Sequence, residues 1–135
     1  MVTGRVGLPA VLVLLAACAG SDASEDTPVA AVAGAWEAMA LPGAKGHPRF
    51  ELADGKLTGH SGCNGMSGSY VLGADGSFRF GDVVTTKMYC EGEPGASERI
   101  VLDAIAKTAH VELDADTLML QDARRAPLIA LSRAR

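Results

Sequence analysis

The feature that most constrains this chain is a period. From Trp36 to Met88 apolar residues recur in short stretches, each ended by Gly, Asp or Pro. Alternation with a period of two buries one face of a strand and leaves the other wet. On that pattern Trp36–Met39, Arg49–Leu52, Leu57–Ser61, Met66–Val71, Ser77–Phe80 and Val83–Met88 read as strands. Asp54-Gly55 is a two-residue hairpin signal. Pro42-Gly43 with Lys45-Gly46 reads as a loop, and Ala74-Asp75-Gly76 and Gly81-Asp82 read as turns. The period then changes once. Between Gly95 and Ala109 the residues Val101, Leu102, Ile105 and Ala109 share one helical face, with Pro94 and Ser97 as start signals. Val111–Leu113, Leu118–Leu120 and Pro127–Leu131 return to strand. Strands, one helix, then strands is an α+β order. A curled antiparallel sheet leaves an open mouth, and a single amphipathic helix suits the task of covering it.

The first residues read as an address rather than as structure. Arg5 precedes an apolar run from Val6 to Ala17, interrupted by Gly7 and Pro9. The run is shorter than the roughly 20 residues that span a bilayer as a helix, and has the form of a secretory signal peptide. It ends Leu15-Ala16-Ala17-Cys18, which resembles the bacterial lipobox. The reading is therefore a signal peptide over 1–17, lipid on Cys18, a flexible Ala/Ser/Asp/Glu-rich tether over 18–33 and a folded domain over 34–135. Losing residues 1–17 removes a single cation, Arg5, from a chain of net charge −4. The anchor is then the lipid and not a basic patch. For a Gram-negative host, the resemblance to lipidated envelope proteins implies that Ala19 rather than Asp after the Cys favours the outer membrane, facing the periplasm.

The same charge, with an aromatic share of 4%, argues against a nucleic-acid binder. With Cys18 assigned to lipid, Cys63 and Cys90 remain as an even pair in an oxidising compartment. A bond between them closes a loop of about 27 residues, worth roughly 3.5 kcal/mol on the chain-entropy estimate.

Two stretches carry a recognisable motif. They are Gly59-His60-Ser61-Gly62-Cys63-Asn64-Gly65-Met66-Ser67-Gly68-Ser69-Tyr70 and Thr85-Thr86-Lys87-Met88-Tyr89-Cys90. They resemble the META family, also called HslJ-like, with the pattern G-x-x-G-C-N-x-x-x-G-x-Y followed by T-x-M-x-C. Gly59, Gly62, Cys63, Asn64, Gly68 and Tyr70 match the first part; Thr86, Met88 and Cys90 match the second. Met66 departs from the pattern, since an aromatic is common there. The resemblance implies a small half-open β-barrel, or strongly bent sheet, with one α-helix packed across it. It implies no agreed reaction, and its members are often envelope lipoproteins.

Read as chemistry, the motif is mostly scaffold. Its glycines permit bends and close approach. Asn64 suits a left-handed turn or bonds to neighbouring backbone. A backbone nest for an anion at Gly62–Gly65 is an alternative. A second alternative is a metal- or redox-handling domain using Cys63, Cys90, Met88 and His60. Asp114-Ala115-Asp116 lacks the Gly and Glu of a calcium loop and reads as a turn. The sequence holds no nucleophile elbow, phosphate loop or dinucleotide fingerprint. The expectation is a non-enzymatic envelope lipoprotein without cofactor or resident metal. Its domain would bind an envelope protein or an apolar ligand and contribute to envelope integrity or stress response.

Overall fold

A computed structural model of the chain describes residues 29–41 and 47–135, together with the isolated Gly4 and Gly7. The signal peptide, Cys18, most of the tether and the loop at Pro42-Gly43 and Lys45-Gly46 lie outside the described residues. The elements are α1 (Val29–Val32), β1 (Gly34–Ala38), β2 (Arg49–Ala53), β3 (Lys56–His60), β4 (Gly65–Leu72), β5 (Phe78–Thr85), α2 (Glu93–Lys107), β6 (His110–Asp114), β7 (Thr117–Gln121) and β8 (Pro127–Arg133).

The strands form one eight-stranded sheet in the order β5-β4-β3-β2-β1-β8-β7-β6. Every neighbouring pair is antiparallel. The first and last strands pair in its middle, with Trp36 opposite Arg133 and Ala38 opposite Leu131. The two edges meet at a single bridge, Ser77 to His110. There the Phe78 N–H donates to the Ala109 carbonyl at 2.9 Å and the Val111 N–H to the Gly76 carbonyl at 3.0 Å. The sheet is thus a half-open barrel, and α2, which links the two edges, lies across the gap. This is the α+β architecture that the periods imply.

Alternation explains the core. In β2, Phe50 and Leu52 point in while Arg49, Glu51 and Ala53 point out. Trp36, Phe50, Leu52, Leu57, Leu118 and Leu131 fill the interior, and α2 adds Val101, Ala104 and Ile105. Tyr70 of the motif is a core residue, its ring stacked on Phe78 at 5.2 Å. The hairpin between β2 and β3 turns at Asp54 (φ 50°) and Gly55 (φ 75°), both in the left-handed region that a type I′ turn demands.

Beyond shifts of a residue or two at strand ends, four boundaries differ from the sequence reading. The first is that β5 stops at Thr85 and leaves Thr86–Met88, read as strand, outside any strand. Gly81-Asp82 is not a turn between two strands, because β5 runs through it. Ser67 pairs with Val84 and Ser69 with Gly81, so β5 carries one extra residue against Gly68. Asp82 takes that bulge at φ 48°. Gly68 accepts it because a Cβ there would meet Gly81 O and Val83 Cα at 3.0 Å. Helix α2 begins at Glu93, with Gly92 as its N-cap and Pro94 in its first turn, and stops at Lys107. Ala109 is drawn out of it by bonds to Phe78 and Gln121. Finally, the described body begins before Gly34. Val32 of α1 is wholly buried, and its carbonyl accepts the Trp36 indole N–H at 2.9 Å.

Candidate functional site

Of the motif residues, Gly62, Cys63, Asn64, Thr86, Met88 and Cys90 meet where the β3–β4 loop, the end of β5 and the start of α2 converge, whereas Gly59 lies in β3 and Gly68 and Tyr70 lie in β4. Ser61, fully buried, organises the loop. Its hydroxyl accepts the N–H groups of Cys63 (3.3 Å) and Asn64 (2.9 Å) and donates to Glu98 Oε1 at 2.9 Å. Gly62 sits at φ 100°, and a Cβ there would collide with the Ser97 hydroxyl. That hydroxyl instead donates to the Ser61 carbonyl at 3.0 Å. Ser97 is therefore a buried tie inside α2 and not its cap.

Asn64 is the centre of the arrangement, with 3% of its surface exposed. Its Oδ1 accepts the Met88 N–H at 2.8 Å and the Thr86 hydroxyl at 2.9 Å. Its Nδ2 donates to the Met88 carbonyl at 3.1 Å and to Glu98 Oε1 at 2.9 Å. The side-chain amide pairs with both backbone groups of Met88, much as a facing peptide does in an antiparallel ladder. Thr86 completes the join: its Oγ1 accepts the Gly65 N–H at 3.1 Å, and its own N–H reaches the Gly65 carbonyl at 3.0 Å. Of the two roles open to Asn64 in sequence, the bond to backbone is the one realised.

Next to this amide Cys63 and Cys90 form a disulfide, with Cα atoms 5.9 Å apart. The covalent and polar ties act in parallel. Both hold the segment from Thr86 to Cys90 and the first turns of α2 against the β3–β4 loop. The segment so held displays large side chains to water: Met88 is 63% exposed and Tyr89 87%.

This geometry corrects the nest reading. The Gly62 N–H is spent on His60 Nδ1 at 3.0 Å, those of Cys63 and Asn64 on Ser61, and that of Gly65 on Thr86. None of the four backbone donors is left for an anion. The cluster of His60, Cys63, Met88 and Cys90 is also not assembled as ligands. Its sulfurs from Cys63 and Cys90 are bonded to each other, and the Met88 side chain faces solvent. Among the described residues no group of three or more His, Cys, Asp or Glu side chains is placed to share an ion. Gly59 lies in β3 between Phe50 and Met66. Asp114-Ala115-Asp116 is the β6–β7 turn, with Ala115 at φ 50° and Asp116 paired to Arg133 at 3.4 Å.

Sequence reasoning missed Ser61 and Glu98. Glu98 falls off the apolar face of α2, which reads as solvent-facing. The missing step was geometric. A bond at Cys90 pins the start of α2 beside the Cys63 loop, so polar residues in the second turn of the helix must meet that loop.

The META domain family model matches residues 29–135. A comparison with curated proteins gives no match. Among solved structures, an NMR structure of a protein from Burkholderia xenovorans is 22% identical, with TM-score 0.60 over 75% of this chain and 81% of that one. A second NMR structure is 19% identical, with TM-score 0.57 over 73% of this chain and 87% of that one. The crystal structure of a DUF4847 family protein from Bacteroides vulgatus is 17% identical, with TM-score 0.52 over 64% of this chain and 59% of that one. At these identities the likeness is one of fold.

Proposed function

Because the chain belongs to the META domain family, whose model spans residues 29–135, we propose that it serves as a non-catalytic binding domain of a bacterial cell envelope. One observation carries this reading: the motif's reactive and polar groups are spent on one another. The sulfurs of Cys63 and Cys90 form a disulfide, the Asn64 amide closes on Met88 and Glu98, and the Thr86 hydroxyl closes on Asn64. Such a constellation holds a shape; it offers no nucleophile, base or open ligand set to a substrate. What it holds in place is a surface, the segment bearing exposed Met88 and Tyr89. The domain would use such surfaces to engage an envelope protein or an apolar ligand and so contribute to envelope integrity under stress.

The disulfide suits an oxidising compartment. We accordingly read residues 1–17 as the export signal and Cys18 as the lipidated residue, with the domain tethered to the outer membrane and facing the periplasm. Stable anchoring would come from two or more acyl chains.

The test is the intact mass of protein extracted from its own membrane, alkylated with and without reductant, followed by cross-linking in cells. Acyl addition at Cys18, protected Cys63 and Cys90, and a cross-linked protein or lipid are expected. Free thiols carrying copper or zinc would overturn the reading in favour of metal handling. A cross-linking survey that returned neither protein nor lipid would remove the binding role.

A further inference from the structure

The barrel closes at one point only. Beyond the bridge at Ser77, β5 continues to Thr85 with no strand along its outer edge among the described residues. Helix α2 lies across that opening without sealing against β5. Between them runs a groove of about 630 Å³, bounded by Phe80 and Val83 on β5 and by Leu102 and Ile105 on α2. That volume is in the range of roughly 300–1,000 Å³ that proteins use for ligands.

Two features say what the groove fits. The first is the direction of the backbone. Phe78 points its N–H away from β4, to Ala109. Alternation then turns the N–H and C=O of Phe80 to the same outer side. At the other end the Thr86 N–H points toward β4, to Gly65, so Thr85 and Val83 face outward. The bulge at Asp82 reconciles the two counts. An open edge of this kind is satisfied by another extended chain, which adds as a strand. The second feature is charge. The groove's charged lining residues are Arg79 and Lys107, both cations, in a chain whose net charge is −4. Lys107 is bonded to Asp103 at 2.9 Å. Arg79 makes no ion pair among the described residues.

We propose that the groove between α2 and β5 binds an extended peptide segment of a partner protein, which pairs with β5 as a ninth strand, sets apolar side chains against Phe80, Val83, Leu102 and Ile105, and places a carboxylate on Arg79. This rests on the reading of the chain as a binding domain and names the form of its partner. A bare lipid surface supplies no backbone ladder, and a basic segment meets the wrong charge.

The probe is a synthetic hexapeptide of alternating valine and threonine ending in glutamate, titrated into the 15N-labelled protein. Two control peptides carry N-methyl groups at alternate residues, or lysine in place of glutamate. Saturable shifts are expected at Phe80, Val83, Thr85 and Leu102, with both controls at least tenfold weaker. The exposed variant Arg79→Glu should reverse the preference between glutamate and lysine while leaving shifts elsewhere in the barrel unchanged. Absence of saturable shifts at the groove would overturn the proposal. So would undiminished binding by the N-methylated peptide, or shifts confined to Val84, Met88 and Tyr89. The broader reading fails separately. If a partner cross-linked in cells is retained in full by Arg79→Glu, the groove is not its site, yet the chain remains a binding domain; if wild type cross-links to nothing, that reading itself falls.

Discussion

Replacing Asn64 by alanine deletes one amide that serves five groups: the N–H and C=O of Met88, the Thr86 hydroxyl, the Glu98 carboxylate and, weakly, the Cys63 sulfur. Thr86 can turn its hydroxyl to water and Glu98 Oε1 keeps the Ser61 hydroxyl, but the Met88 N–H and C=O lose their side-chain partner in a partly buried place. A polar group stranded in this way costs about 1–3 kcal/mol, and two of them near the low end give a loss of roughly 2–3 kcal/mol. Domains of this size hold about 5–15 kcal/mol, so the variant should fold with its disulfide intact and unfold at lower denaturant. Trp36, the single tryptophan and fully buried, reports the transition by fluorescence in guanidinium. The variant Asn64→Asp is the sharper probe. It keeps the shape, loses the donor bonds and faces the Glu98 carboxylate. Burial and that like charge raise the introduced group's pKa above its unfolded value. Its penalty should therefore be full at neutral pH and shrink as acid protonates it, because the neutral carboxyl regains a donor. If Asn64→Ala lay within about 0.5 kcal/mol of wild type, below even one lost partner, the reasoning about this amide would be refuted.

Further outcomes follow from the same structure. Replacing both Cys63 and Cys90 by serine should cost roughly 3.5 kcal/mol in the same assay; equal midpoints would show that the loop they close is already ordered when unfolded. Arg133 lies 4.3 Å from the Trp36 ring, bonds the Ala31 and Ala33 carbonyls at 3.0 and 3.3 Å, and pairs with Asp116. Arg133→Ala should cost about 1–2 kcal/mol, and amide exchange over 29–33 should rise selectively, whereas an even rise across the barrel would contradict a local clamp. The Ser77 hydroxyl and N–H hold the Asp75 carboxyl below its ordinary value of 3.8. A depressed acid contributes stability above its unfolded pKa and loses it as pH falls through the folded one. The β4–β5 turn should therefore loosen only in strong acid, and Ser77→Ala should raise the Asp75 midpoint in a carbon-detected NMR titration; an unmoved midpoint would refute the assignment.

Most of the strands were legible because their signals are local. Phe50 and Leu52 alternate with Arg49 and Glu51, and Asp54-Gly55 declares its own turn. Gly81-Asp82 misled because a turn and a bulge ask for the same residues; only the facing Gly68 decides between them. The pairing of β1 with β8 and the bridge from Ser77 to His110 join distant residues, which no short window can register. Of the site, the disulfide and the bond-making role of Asn64 could be read ahead. The parts played by Ser61, Ser97 and Glu98 could not, since they depend on where α2 starts relative to the β3–β4 loop.

The central claim is that the family motif is spent on holding the end of β5 and the start of α2 to the β3–β4 loop. Hydrogen exchange at the Asn64 side-chain amide and the Met88 N–H tests it most directly. Met88 lies outside any strand, and its side chain is 63% exposed. The account predicts that its N–H and the Asn64 Nδ2 protons exchange as slowly as those of the barrel ladder, and that Asn64→Ala restores fast exchange at Met88. Exchange at Met88 and Asn64 as fast as in an open loop, with the barrel itself protected, would contradict it.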